Sequence, residues 1–148
     1  MKRTALILSL IIVSVVVTAI ANKPTESAAA PNKLIGSWKV VKARYGDGKM
    51  ETLKEGNMTV KIFSASRWSV AYFNPAKKTY DGAGGGTYKL DGDKYTETIE
   101  YFSWDNASVG QTVVFTMTIE NGMLHQLGTT EYKENKSYVI DEWYEKID

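Results

Sequence analysis

The sequence predicts an all-β domain, an eight-stranded antiparallel up-and-down barrel, and three observations lead there. From Leu34 onward, polar and apolar residues alternate in short runs; turn residues punctuate those runs; and no window keeps helical spacing for more than a turn or two. Strands joined mostly by hairpins either close on themselves or expose edges that other chains can pair with. Closure removes the edges.

Each run has a local reason. Leu34 to Tyr45 alternates and then meets Gly46-Asp47-Gly48. Met58 to Ala65 and Arg67 to Phe73 follow, the latter stopped by Asn74-Pro75. Gly84 to Leu90 leads through Asp91-Gly92-Asp93, a tight hairpin, into Tyr95 to Phe102. Gln111 to Glu120 is joined to Met123 to Gly128 by Asn121-Gly122, the strongest hairpin signal in the chain. Tyr138 to Ile147 is the eighth run.

The N-terminal part differs in kind. Residues 1–21 combine Lys2 and Arg3 with an apolar stretch and Ala19-Ile20-Ala21, the pattern of a secretory signal peptide cleaved after Ala21. The apolar stretch is short for a transmembrane span, so no stable membrane span is expected after cleavage. Residues 22–33, NKPTESAAAPNK, mix Pro, Ser, Ala and charge without periodicity and read as a disordered linker. Residues 34–148 are the domain, and the expected location is secreted or periplasmic.

Composition narrows the function classes. With 148 residues there is room for one core and no second catalytic domain. The absence of Cys excludes disulfides, thiolate metal sites and a cysteine nucleophile. Net charge is +1, and losing Lys2 and Arg3 from the 18 basic residues leaves the 17 acidic ones one ahead, so no global field favours nucleic acid.

Strand parity nominates an interior. In the sixth run Val113, Phe115, Met117 and Ile119 share an apolar face; in the second, Met58, Val60 and Ile62 lie opposite Thr59 and Lys61. The third run groups Trp68, Val70 and Tyr72, the fourth Gly86, Tyr88 and Leu90, and the fifth Tyr95, Glu97, Ile99 and Tyr101. An eight-stranded barrel has room for side chains or one small ligand. Trp68, Tyr72, Tyr88, Glu97, Tyr101 and Phe115 are therefore the candidate ligand-binding residues.

Gly36-Ser37-Trp38 at the start of the first run resembles the G-x-W motif of lipocalins and related calycin barrels. The stretch Gly84-Gly85-Gly86-Thr87-Tyr88, Asp91 to Glu97, Ile99 to Asp105, Val109-Gly110-Gln111 and Asp141-Glu142-Trp143 is similar to an uncharacterised lipocalin-like family of secreted and membrane proteins from Bacteroidota. The resemblance covers nearly all of residues 34–148. It implies an exported eight-stranded barrel and no assigned activity. Gly36, Trp38 and Lys146 would then be structural, with Trp38 at the closed end. Where calycins commonly stack an Arg over that tryptophan, this chain has Lys146, which lacks a planar guanidinium.

Chemistry-bearing motifs are few. His125 is the single histidine and reads as a surface or hairpin residue, so no metal site and no cofactor are expected. Gly82 to Gly86 lacks the G-K-[ST] ending of a phosphate loop and reads as a bend or strand entry. Glu97 and Glu142 form a candidate carboxylate pair; the alternative is that each is hydrogen-bonded to a Tyr or paired with Lys42, Arg44 or Arg67. The sequons at Asn57, Asn106 and Asn135 read as turn chemistry, and Phe102 to Gly110 as an aromatic-anchored loop or a lid. The expected function is non-enzymatic binding of a small, mostly apolar ligand in the lumen. The alternative is an envelope interaction protein with a side-chain-filled barrel that binds a protein or glycan through its surface or loops.

Overall fold

The computed structural model describes residues 31–54, 56–132 and 136–148. The signal peptide and most of the linker lie outside the described residues. Nine strands form one sheet: β1 (Gly36–Tyr45), β2 (Glu51–Thr52), β3 (Met58–Phe63), β4 (Arg67–Asn74), β5 (Thr79–Asp91), β6 (Lys94–Phe102), β7 (Thr112–Glu120), β8 (Met123–Tyr132) and β9 (Lys136–Lys146). From β3 to β9 each strand pairs antiparallel with the next, β3 also pairs with β1, and β1 pairs with β9. The result is a closed eight-stranded barrel, with the two-residue β2 pairing alongside β1. A 3₁₀ turn, Asn106–Ser108, lies between β6 and β7, capped by the Asp105 carboxylate accepting from the Ala107 N–H at 3.0 Å.

The tight turns follow their residues. Asn121 and Gly122 both have positive φ, 53° and 80°, as a two-residue hairpin between twisted strands requires. The long β5 runs well beyond the Gly84 to Leu90 expected of it, because its glycines let aromatic side chains lie flat on the strand. A Cβ at Gly85 would meet the Tyr101 hydroxyl at 2.3 Å, and one at Gly84 would meet the Phe102 ring at 2.5 Å. Glycine-rich Gly82 to Gly86 is thus strand rather than phosphate loop.

One half of the barrel is filled. Leu34, Trp38, Phe63, Tyr88, Tyr95, Met117 and Leu124 are buried there, with Phe63 edge-on to Tyr88 at 5.6 Å and to Tyr95 at 5.8 Å. Trp38 donates its indole N–H to the Leu34 carbonyl at 2.7 Å and sits opposite Lys146 on β9, whose ammonium lies 5.7 Å from its ring centre. A cation over the ring takes the position where a guanidinium would stack.

Two expectations of orientation and two of position along the barrel are corrected. In β3 the inward residues are Thr59, Lys61 and Phe63, while Ile62 is 50% exposed: the polar face looks in, because Lys61 has a carboxylate partner there. Tyr101 points outward, 44% exposed, its hydroxyl 2.9 Å from that of Ser69. The cause is a bulge: Gly85 pairs with Tyr101 and Gly86 with Ile99, so Glu100 is the extra residue and parity flips beyond it. Tyr88 belongs to the filled end, donating to the Ser64 carbonyl at 2.6 Å and accepting from Asn32 at 2.7 Å. Ile119 lies past that end and is 42% exposed.

Candidate functional site

The other half of the barrel is hollow. A cavity of about 350 Å³ opens there, walled by Val70, Ile99, Phe102, Val113, Phe115 and Ile140, with Trp68, Lys61, Glu97, Gln126, Glu142 and Tyr144 among its polar-bearing groups. Adjacent strands supply these because every second residue of each faces the axis. Ser108 and Gln111 of the β6–β7 connection reach the same space. Beside it, Trp104 packs edge-on against Tyr72 and Phe102, with ring centres 4.7 Å and 4.8 Å away, which anchors the Phe102 to Gly110 loop through aromatics. A second hollow of about 480 Å³ lies against residues 48–54 and shares Tyr45 and Tyr72 with the lumen. It is larger, but exposed side chains such as Lys49, Glu51 and Asp81 form much of its wall, so the lumen is the better-formed site.

The polar groups of the lumen form a connected set. The buried Lys61 ammonium donates to the Glu97 carboxylate and to the Gln126 carbonyl oxygen, both at 3.0 Å. Tyr95 donates to the same Glu97 oxygen at 2.7 Å. Lys61 also lies over the Trp68 ring, 4.7 Å from its centre. Farther along the wall, Glu142 accepts from the hydroxyls of Tyr45 and Tyr144. Burial, and then the nearby negative charge of Glu142, push the hydroxyls of Tyr45, Tyr72 and Tyr144 well above the ordinary phenol range. Burial and Glu97 do the same to Tyr95. The Trp68 indole N–H is different: it is buried and has no hydrogen-bond partner, the one such side-chain atom among the described residues.

Of the six residues nominated from sequence, the structure brings Trp68, Tyr72, Glu97 and Phe115 to the cavity and leaves Tyr88 and Tyr101 away from it. The cations weighed as carboxylate partners are engaged on the outer face, Arg44 with Asp141 at 3.0 Å, Arg67 with Glu100, and Lys42 over the Trp143 ring. Sequence reasoning missed Lys61 and Gln126. The available signal was parity itself: Thr59-x-Lys61-x-Phe63 alternates as well as the apolar set does. His125 stacks on Trp143 at 4.0 Å and meets Asp141 at 2.9 Å, outside the lumen. Among the described residues no three His, Cys, Asp or Glu side chains converge as metal ligands. The sequon residue Asn57 accepts from the Asn74 side chain at 2.8 Å, beside the paired Met58 and Phe73 of β3 and β4; Asn135 lies outside the described residues.

A closed, meandering eight-stranded barrel with one filled end and one hollow end is a lipocalin-like barrel, and the chain is similar to solved structures. One is a lipocalin-like protein from Bacteroides uniformis, with 17% identity and a TM-score of 0.50, covering 77% of this chain and 98% of that one. Another is an uncharacterized protein from Bacteroides eggerthii, with 17% identity and a TM-score of 0.46, covering 74% and 98%. No family model and no curated protein matches the chain.

Proposed function

We propose that the protein is an exported, non-enzymatic binder that holds a small, mostly apolar molecule in the hollow half of its barrel. The observation that carries this is the hollow half of the barrel, a lumen of about 350 Å³ walled by Val70, Ile99, Phe102, Val113, Phe115 and Ile140. The volume falls in the range of small-molecule sites, roughly 300 to 1,000 Å³, and its aliphatic and aromatic wall supplies apolar contact. Both carboxylates are held as hydrogen-bond acceptors by tyrosines, which suits orientation of a ligand's polar end better than proton transfer. The competing reading, a filled barrel that works through its surface, requires side chains where this half of the barrel is hollow. Location rests on the signal-peptide pattern of residues 1–21.

The test is calorimetric titration of fatty acids, sterols and aromatic metabolites into wild type and into Val113→Trp, which fills the lumen. Binding with one-to-one stoichiometry in wild type and none in Val113→Trp is the expected result. If nothing binds more tightly than about 1 mM, too weak for a dedicated carrier, the reading fails. N-terminal sequencing of the exported protein tests its location: the expected first residue is Asn22, and an intact Met1 in a detergent-requiring fraction would overturn it.

A further inference from the structure

We propose that the lumen selects organic cations, compact molecules with an apolar body and one amine whose ammonium lies against the Glu142 carboxylate. This rests on the lumen being the binding site and adds the charge of its ligand. One lysine and two glutamates, Lys61, Glu97 and Glu142, are among the described residues that line the cavity. Lys61 and Glu97 pair at 3.0 Å, and the carbonyl oxygen of Gln126 accepts a second hydrogen bond from the ammonium.

Glu142 has no such partner. It is buried, and among the described residues no ammonium or guanidinium lies within ion-pair distance; the hydroxyls of Tyr45 and Tyr144 donate to it. The two cations nearest in register on β1, Lys42 and Arg44, are turned to the outer face, where they meet Trp143 and Asp141. Among the described side chains that line the lumen, Glu142 is thus the carboxylate without a cationic partner. A buried carboxylate without a counter-charge is unfavourable, and an entering ammonium supplies what the chain does not.

The surroundings suit that ion. Tyr45, Tyr72 and Tyr144 gather about Glu142 and line the same cavity, and an ammonium gains from aromatic faces as well as from the carboxylate. Tyr72 feels the charge of Glu142 after the effect of burial, which places it within the same field. A carboxylate ligand would instead set a second carboxylate beside Glu142.

Three probes with a common body separate the possibilities: 2-phenylethylamine, 2-phenylethanol and phenylacetate, titrated calorimetrically at pH 7 into the purified protein. The amine is expected to bind about tenfold or more tighter than the alcohol, with phenylacetate weakest, and Glu142→Gln is expected to bring amine and alcohol within about twofold of each other. The wild-type ranking decides without any variant, should Glu142→Gln fail to fold. An alcohol or phenylacetate that binds as tightly as the amine overturns cation selection while leaving lumen binding standing. Amine binding that persists in Val113→Trp lies outside the barrel and overturns it as well. Silence from all three probes, together with silence from the fatty acids, sterols and aromatic metabolites, overturns both readings.

Discussion

Removing the Lys61 ammonium, as in Lys61→Met, is expected to destabilise the barrel by about 3 to 5 kcal/mol. The two side chains of the pair are only 5% and 8% exposed and 3.0 Å apart, so solvent screens them little. At an effective dielectric of roughly 20, two unit charges at that separation attract by about 5 kcal/mol. Methionine fills most of the lysine volume, so the loss comes chiefly from a Glu97 carboxylate left with the Tyr95 hydroxyl alone. The assay is urea unfolding at pH 7, monitored by tryptophan fluorescence. The double variant Lys61→Met with Glu97→Gln should recover much of the loss, with a coupling of about 2 to 3 kcal/mol, because an amide leaves no buried charge unmatched. If Lys61→Met costs less than about 1 kcal/mol, the size of a solvent-screened surface pair, then Lys61 and Glu97 are not a buried pair and the inward face of β3 has been misassigned.

Trp38→Ala should cost about 3 to 5 kcal/mol, since it deletes a buried aromatic and its bond to the Leu34 carbonyl; a loss under about 1 kcal/mol would deny Trp38 its place at the closed end. Gly128→Ala should cost about 1 to 3 kcal/mol in the same urea assay, because its Cβ would lie 2.5 Å from the Phe115 ring and 2.9 Å from the Val114 carbonyl. Alkaline titration followed by tyrosinate absorbance should show Tyr45, Tyr72, Tyr88, Tyr95 and Tyr144 staying protonated in the folded protein where a free phenol would ionise. Their folded-state values are raised, so the stability they contribute is full below the unfolded phenol value of about 10 and falls as pH climbs above it. The late tyrosinate signal should therefore appear together with unfolding; its appearance in a still-folded barrel would refute the burial of these hydroxyls.

Strand positions were legible because alternation and turn residues are local. Asn121-Gly122 names its own turn, and Val113, Phe115 and Met117 face inward as their spacing requires. Orientation was less legible wherever a distant partner decides it. Lys61 faces inward because Glu97 and Gln126, on β6 and β8, are there to receive it, and β3 read alone offers no trace of either. Tyr101 was misread for a different reason. One bulged residue, Glu100, reverses the parity of the residues beyond it, and a bulge leaves the composition of the strand unchanged. In the candidate site the aromatic wall was accessible from sequence, whereas the charge arrangement required the register between strands. The extension of β8 to Tyr132 was missed because Thr129 and Thr130 carry no apolar pattern, yet they pair with Val139 and Tyr138.

The seam between β1 and β9 sets the order in which this protein can come into being. Lys39 and Glu145, which meet across it, are 106 positions apart, so almost the whole domain must be made before its opening strand finds its second neighbour. Hairpins such as Asn121-Gly122 can form locally and early, but closing so long a loop comes late, and pairings this remote in sequence make folding slow. A growing chain would hold β1 with one side unpaired until β9 emerged. Until then it would remain open to whatever else could pair with that side, a chaperone or another copy of itself.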